Sequence, residues 1–184
     1  MLKLYGGARS RASIVRWYLE ELNVPYEFVL LDMAAGEHLQ PEYLAINPMG
    51  KVPAITDGDV KLWESGAILL YLAEKHGKMP ASLGERSAIA QWILFSNSTL
   101  ATGLFMEASR DKEVPKLLKP LDTLLSDRSY LLGTELTVAD IAVGSMLAYV
   151  PMMLPMIDLS PYPAVLDYMG RISEREAFKK AIGG

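Results

Sequence analysis

Apolar and polar positions follow two different periods along this chain, and the change of period divides it. Leu2-Lys3-Leu4-Tyr5 alternates as a strand does, and Gly6-Gly7 reads as a turn. From about Ser10 to Asn23 the spacing is helical, with Ile14, Trp17, Tyr18 and Leu22 on one face and Arg16 and Glu20 away from it. Pro25 separates that helix from a second strand, Tyr26-Glu27-Phe28-Val29-Leu30-Leu31. A strand, a helix and a strand in so short a run predict a right-handed βαβ unit, so the two strands should be parallel.

Residues 33 to 50 are irregular, with one short helix predicted from Pro41 to Ile46, where Pro41 suits the first turn. Val52-Pro53 opens the apolar run Ala54-Ile55-Thr56, and proline is tolerated in a strand only at its first residue or on an edge. Asp57-Gly58-Asp59 supplies a tight turn that returns the chain as Val60-Lys61-Leu62-Trp63, giving two antiparallel strands. A strongly apolar helix follows, with Ser65 as N-cap, Lys75 suited to the helix dipole and Gly77 as the residue that ends it.

Beyond that point strand-like alternation disappears. GKMPASLG, rich in Gly, Pro and Ser, reads as a linker. Helices are predicted over residues 86 to 110, 112 to 126 and 137 to about 150, with shorter ones near 162 to 172 and 174 to 182. No internal repeat or low-complexity tract is visible. The expected fold is an α/β domain over residues 1–77 in the order βαβ-α-ββα, a linker at 78–84, and an all-helical domain over 85–184. Thr137 and Asp140 stand at N-cap and N3 spacing before an apolar run, a capping box whose role is structural.

Composition narrows the chemistry. With no cysteine among 184 residues, disulfides, thiolate metal sites and a protein-borne thiol nucleophile are excluded. The two histidines, His38 and His76, are far apart in sequence, and no metal site is expected. A net charge of −4 offers no basic face for nucleic acid. The chain opens on a strand-like segment with no signal-peptide pattern, and its longest apolar stretch, around 141 to 157, is interrupted by Gly144, Pro151 and Pro155. The expectation is a cytoplasmic protein that does not enter a membrane.

Two places suggest a ligand. If Val52 is held at a sheet edge, its N–H and C=O can pair with an extended peptide. One hairpin later, Glu64-Ser65 heads a helix whose free N–H groups suit a carboxylate or phosphate. Taken alone, Ser65 reads more simply as a cap. A peptide-like anion could touch both places.

The stretch NPMGKVPAI, then DG, then ESGAILLYL resembles the glutathione-binding half of soluble glutathione transferases, and the order of elements before and after agrees over essentially the whole chain. The likeness is to bacterial-like members of serine or tyrosine type rather than cysteine type. It implies a thioredoxin-like N-terminal domain and a cis proline at Pro53. It further implies that Val52 pairs with the cysteinyl part of glutathione, and that Glu64 and Ser65 hold its γ-glutamyl end. Lys51 is placed for the glycyl carboxylate, with Gln40 or His38 from the irregular loop as assistants, although His38 reads better as structural.

A transferase must present the glutathione sulfur as a thiolate. Lowering a thiol pKa by two units takes about 2.7 kcal/mol of preferential anion stabilisation. Hydroxyls, a helix N-terminus and cations can supply it, and all meet at Arg9-Ser10-Arg11-Ala12-Ser13. The resembled family activates the thiol with a Tyr near the end of the first strand or a Ser at the head of the first helix. Tyr5 and Ser10 fill those places. Ser10, flanked by Arg9 and Arg11, is the first choice; Tyr5 is the second, followed by Ser13 and an Arg11 donor. Ser10 reads equally as a helix cap and Tyr5 as a core residue.

The electrophile pocket is expected to be apolar and to lie between the domains, with Leu104, Phe105, Met106 and Met152 as its first candidates and Leu100, Met153 and Met156 beside them. A methionine stripe at helical spacing is more often core. The resemblance implies a homodimeric detoxifying transferase that uses glutathione as co-substrate and needs no prosthetic group. It acts on small apolar electrophiles, with glutathione peroxidase activity as a possible side reaction. The alternatives are a non-catalytic glutathione-binding or protein-interaction module, and a glutathione-dependent isomerase or dehalogenase. Cysteine-bearing relatives perform disulfide exchange, and the lack of cysteine counts against that role here.

Overall fold

The computed structural model describes residues 1–182. Contacts group the chain into two compact units, Met1–Gly77 with the segment from Glu176 onward, and Lys78–Arg175.

The first unit runs β1 (Leu2–Gly6), α1 (Ala12–Glu21), β2 (Tyr26–Leu30), a 3-10 turn at Glu37–Leu39, α2 (Pro41–Leu44), β3 (Ala54–Asp57), β4 (Val60–Trp63) and α3 (Ser65–Lys75). Its four strands lie in the order β2-β1-β3-β4. The βαβ expectation is met: β1 and β2 are parallel, with Leu4 beside Phe28. The chain then reverses, so that β3 is antiparallel to both β1 and β4, pairing Leu4 with Ile55 and Ala54 with Trp63. Helices α1 and α3 pack on each other and on the strands. Leu4, Ile14, Leu19, Ile55, Ile68 and Leu72 fill the space between with essentially no solvent exposure. Asp57 closes the hairpin onto α3, accepting hydrogen bonds from Tyr71 Oη at 2.9 Å and from Lys75 Nζ.

The second unit is helical, as the loss of alternation predicts. The expected single helix over 86–110 is corrected to α4 (Leu83–Leu94), a π-helical turn at Phe95–Leu100, and α5 (Ala101–Phe105). Met106 then turns extended, with φ −83° and ψ 101°. Arg110 reaches back to cap α5, its Nε donating to the Leu104 carbonyl at 2.7 Å. That carbonyl is one of those a helix end leaves open, so a side chain replaces the next helical turn. Gly103 lets Leu117 pack closely against α5, since a Cβ there would lie 2.3 Å from Leu117 Cδ1.

Helix α6 (Arg110–Leu125) follows, then α7 (Val138–Met153) and α8 (Pro163–Ser173). Helix α7 runs through Pro151 and is buried along most of its length. Its capping box forms as read from the sequence, with the Thr137 N–H donating to Asp140 Oδ2 at 2.8 Å. Asp140 also accepts from the Leu131 N–H at 2.9 Å and from Tyr168 Oη at 3.2 Å. Burial pushes its carboxyl above the ordinary Asp range, against these hydrogen bonds.

The last helix, α9 (Glu176–Ala181), was drawn with the helical domain in the sequence reading but groups with the first unit. Phe178 meets the Trp17 ring edge-on at 5.1 Å, and Lys180 pairs with Glu20 on α1.

Candidate functional site

The residues read from the sequence as a peptide-binding surface gather in the first unit, at the β3 end and at the N-terminal ends of α1 and α3. The approach to β3 is built by a side chain that the sequence reading missed. Asn47, only 1% exposed, accepts the Met49 N–H at Oδ1 (3.0 Å) and donates from Nδ2 to the Lys51 carbonyl (2.7 Å). Tyr43 Oη donates to the same carbonyl, and burial pushes the Tyr43 hydroxyl up to about 12. Gly50 supplies the turn between, at φ +57°, where a Cβ would fall 2.9 Å from Leu39 Cδ2. An Asn-Pro pair ahead of a glycine is a turn signal that could have marked Asn47.

This clamp fixes the backbone of Lys51 and Val52. The Val52-Pro53 peptide bond is cis. Val52 is half-buried, and among the described residues nothing bonds its N–H or carbonyl, whereas Ala54, two residues later, is fully engaged in the sheet. The Lys51 side chain is exposed beside this ledge. Gln40 is exposed and extended just before α2. His38 holds a buried Nδ1 without a partner among the described residues.

At the head of α3 the predicted cap is corrected. Glu64, not Ser65, is the cap residue, at φ +70° and ψ 118°, and Ser65 is the first helical residue, 3% exposed. A non-glycine residue at positive φ costs about 1–3 kcal/mol, and such strain concentrates at functional sites. The side chain of Glu64 is exposed and, among the described residues, makes no hydrogen bond, and neither does Ser65. The first turn of α3 therefore presents N–H groups without intrahelical partners beside a carboxylate and a hydroxyl.

The third element is the turn from β1 into α1. Gly6 is obligatory here, because a Cβ would lie 2.3 Å from Ala12 Cβ. Helix α1 begins at Ala12, so Ser10 stands two residues before it rather than at its first turn. Its Oγ donates to the Gly7 carbonyl at 3.0 Å and accepts the Ala12 N–H at 3.3 Å. Ser13 Oγ donates to the Ser10 carbonyl at 3.1 Å. Arg9 is exposed and Arg11 half-buried. Tyr5 is half-buried on β1, its ring 5.9 Å from that of Tyr43. Tyr43 thus links Tyr5 to the Lys51 carbonyl.

The residues expected around an electrophile belong to the second unit and differ in exposure. Leu104 is fully buried in that unit's own core, Phe105 is half-buried, and Met106 and Met152 are 54% and 64% exposed. Among the described residues no group of three or more His, Cys, Asp and Glu is gathered to hold a metal ion. No helix among them is long and apolar enough to cross a membrane.

Residues 1–74 match the N-terminal domain of glutathione S-transferase, and residues 86–182 match the C-terminal domain. The chain belongs to the glutathione S-transferase family. Among curated relatives of this transferase-family chain is the disulfide-bond oxidoreductase YfcG of Escherichia coli, 30% identical over 99% of this chain and 94% of that one. A glutathione transferase from Burkholderia graminis, solved with two glutathione molecules bound per subunit, has a TM-score of 0.85 at 28% identity, covering 98% of this chain and 86% of that one. A family member from Pseudomonas fluorescens, also solved with two glutathiones bound, has a TM-score of 0.87 at 26% identity, covering 98% and 91%. The thioredoxin-like domain followed by an all-helical one is therefore the transferase fold, and glutathione is the ligand seen in these neighbours.

Proposed function

We propose that this protein binds glutathione along the Val52 ledge, ionises its thiol at the β1–α1 turn and adds the sulfur to electrophilic carbon in small apolar compounds. The observation that carries this reading is the unpartnered Val52 backbone, clamped in place by Asn47 next to the strained Glu64-Ser65 helix start. An extended tripeptide needs such a backbone edge for its middle residue and an anion-binding helix start for one end. Lys51, with Gln40, is assigned to the glycyl carboxylate, Arg9 and Arg11 to the field around the sulfur, and Ser10 to the activating hydrogen bond, with Tyr5 second. Phe105, Met106 and Met152 are proposed to face the electrophile, and Leu104 to support them from the core. The protein is proposed to act as a cytoplasmic homodimer.

Calorimetry with millimolar glutathione, followed by steady-state turnover of a chlorinated nitroaromatic acceptor, tests the reading. Heat without turnover across several acceptors would point to the binding module, and absence of heat would remove the proposal altogether. Ser10→Ala is expected to raise the kinetic pKa by up to about one unit while Tyr5→Phe leaves it in place; the reverse ranking would reassign the hydroxyl.

A second reading is favoured by the name of one relative and by the paired glutathiones in two neighbours. Two glutathione thiols reduce a disulfide RSSR to two RSH and leave as oxidised glutathione, so sulfur chemistry can proceed with no cysteine in the chain. This revises the weight given to the missing cysteine. Consumption of a small disulfide in the absence of any conjugation would select it.

A further inference from the structure

Met33 follows β2 and is 37% exposed. A Cβ built on Gly7 would lie 2.7 Å from Met33 Cγ and 3.4 Å from its Sδ, with Ser10 Cβ next at 3.9 Å. The thioether therefore rests on the bare Cα of Gly7, within reach of the same point as Ser10. The Gly7 carbonyl is the group to which Ser10 Oγ donates its hydrogen bond, at 3.0 Å. Sulfur and hydroxyl thus share one short turn, and any polar group placed on that sulfur enters the surroundings of the hydroxyl.

We propose that Met33 is a sulfoxidation site through which organic hydroperoxides turn down thiol activation at Ser10. The inference rests on the assignment of Ser10 made above. In the step itself the O–O bond of ROOH breaks and its distal oxygen bonds to Met33 Sδ. The proton passes to the departing alkoxide, leaving ROH. The thioether loses two electrons and the peroxide gains them. The product carries an S–O dipole whose oxygen is a strong hydrogen-bond acceptor where an apolar atom stood. That oxygen competes for the Ser10 hydroxyl proton, and its negative end disfavours a thiolate nearby.

The test oxidises the whole protein and its Met33→Leu variant with an alkyl hydroperoxide and maps sulfoxides by peptide mass spectrometry. The pKa of bound glutathione is then titrated from its thiolate ultraviolet absorbance, a readout that needs no turnover. Met1, Met49, Met106, Met152, Met153 and Met156 are all more exposed than Met33 and serve as internal controls present in both proteins. The expected result is a rise of about one unit in the wild-type thiol pKa, roughly a tenfold loss of thiolate below that pKa, with no change in Met33→Leu. Treatment of the oxidised wild type with methionine sulfoxide reductases should restore the original value, so the conclusion does not depend on the variant folding.

Complete Met33 sulfoxide with an unmoved pKa would overturn the inference, as would an equal shift in Met33→Leu or a Met33 that stays reduced while the other six oxidise. If the unoxidised protein shows no thiolate signal with glutathione, the proposed function itself has failed, and that failure is visible before any oxidant is added.

Discussion

Replacing Asn47 with alanine tests whether one buried amide builds the ledge. The side chain makes two hydrogen bonds, to the Met49 N–H at 3.0 Å and to the Lys51 carbonyl at 2.7 Å. Each is worth about 1 kcal/mol net. The Lys51 carbonyl retains Tyr43 Oη, and Met49 is exposed, so its N–H can turn to water. The sum is a loss of about 2 kcal/mol, a sizeable share of the total stability of a domain. Urea denaturation followed by tryptophan fluorescence measures it. The same substitution frees the Lys51–Val52 backbone, so glutathione affinity should drop by at least about tenfold in protein still folded, a difference of about 1.4 kcal/mol. A loss below about 0.5 kcal/mol together with unchanged affinity would refute the view that Asn47 organises the site.

Other expectations follow from the same geometry. Asp57 has its carboxyl held below the ordinary Asp range, chiefly by the hydrogen bond from Lys75. A depressed folded-state pKa gives stability that is present above the unfolded-state value near 3.9 and lost as pH falls through the lower folded value. Asp57→Asn should therefore cost stability at pH 6 and little at pH 2–3, read from denaturation midpoints at both. Asp140→Ala should destabilise by about 3 kcal/mol or more, because it orphans the buried Leu131 N–H and the half-buried Thr137 N–H, whereas Thr137→Ala should cost only about 1 kcal/mol; calorimetric melting separates the two.

Much of the fold was legible because it is coded locally. Pro25, the Asp-Gly-Asp turn and the switch from period two to period 3.6 mark β1 to β4 without reference to any distant residue. What escaped depends on partners far along the chain or on competition between local rules. The helix predicted over 86–110 stops where Arg110 folds back on the Leu104 carbonyl and Leu117 packs closely on Gly103, neither of which periodicity records. Helix α9 was visible as a helix, but its grouping with α1 rests on Phe178 meeting Trp17 across most of the chain. At the head of α3 the usual preference for a Ser cap gave way to a strained Glu64, because Ser65 is already inside the helix and buried. The candidate site divides in the same way. Lys51, Val52, Glu64 and Ser65 stood out as motif residues, whereas Asn47 and Tyr43, which hold that motif in shape through its carbonyl, carry no chemistry of their own and attract no notice in a sequence.

The state of Ser10 limits what a hydroxyl can do for a thiol. Its proton already satisfies the Gly7 carbonyl at 3.0 Å, so donating to a sulfur means giving up one neutral hydrogen bond to make a charged one. Neutral bonds contribute about 1 kcal/mol net and bonds to charged groups about 1.5–3 kcal/mol, so the exchange yields about 0.5–2 kcal/mol. That amounts to roughly one pKa unit, about half of what brings a thiol from 8.5 to 6.5. The remainder must come from charge and dipoles: the positive end of the α1 dipole, and Arg9 and Arg11 on either side of the serine. Those contributions are screened by salt, while a direct hydrogen bond is not. A thiol pKa that rises with ionic strength in the Ser10→Ala protein as in the wild type, the two curves running parallel about one unit apart, is what this division of labour requires. Curves that converge at high salt would place the serine's effect in the field rather than in the bond.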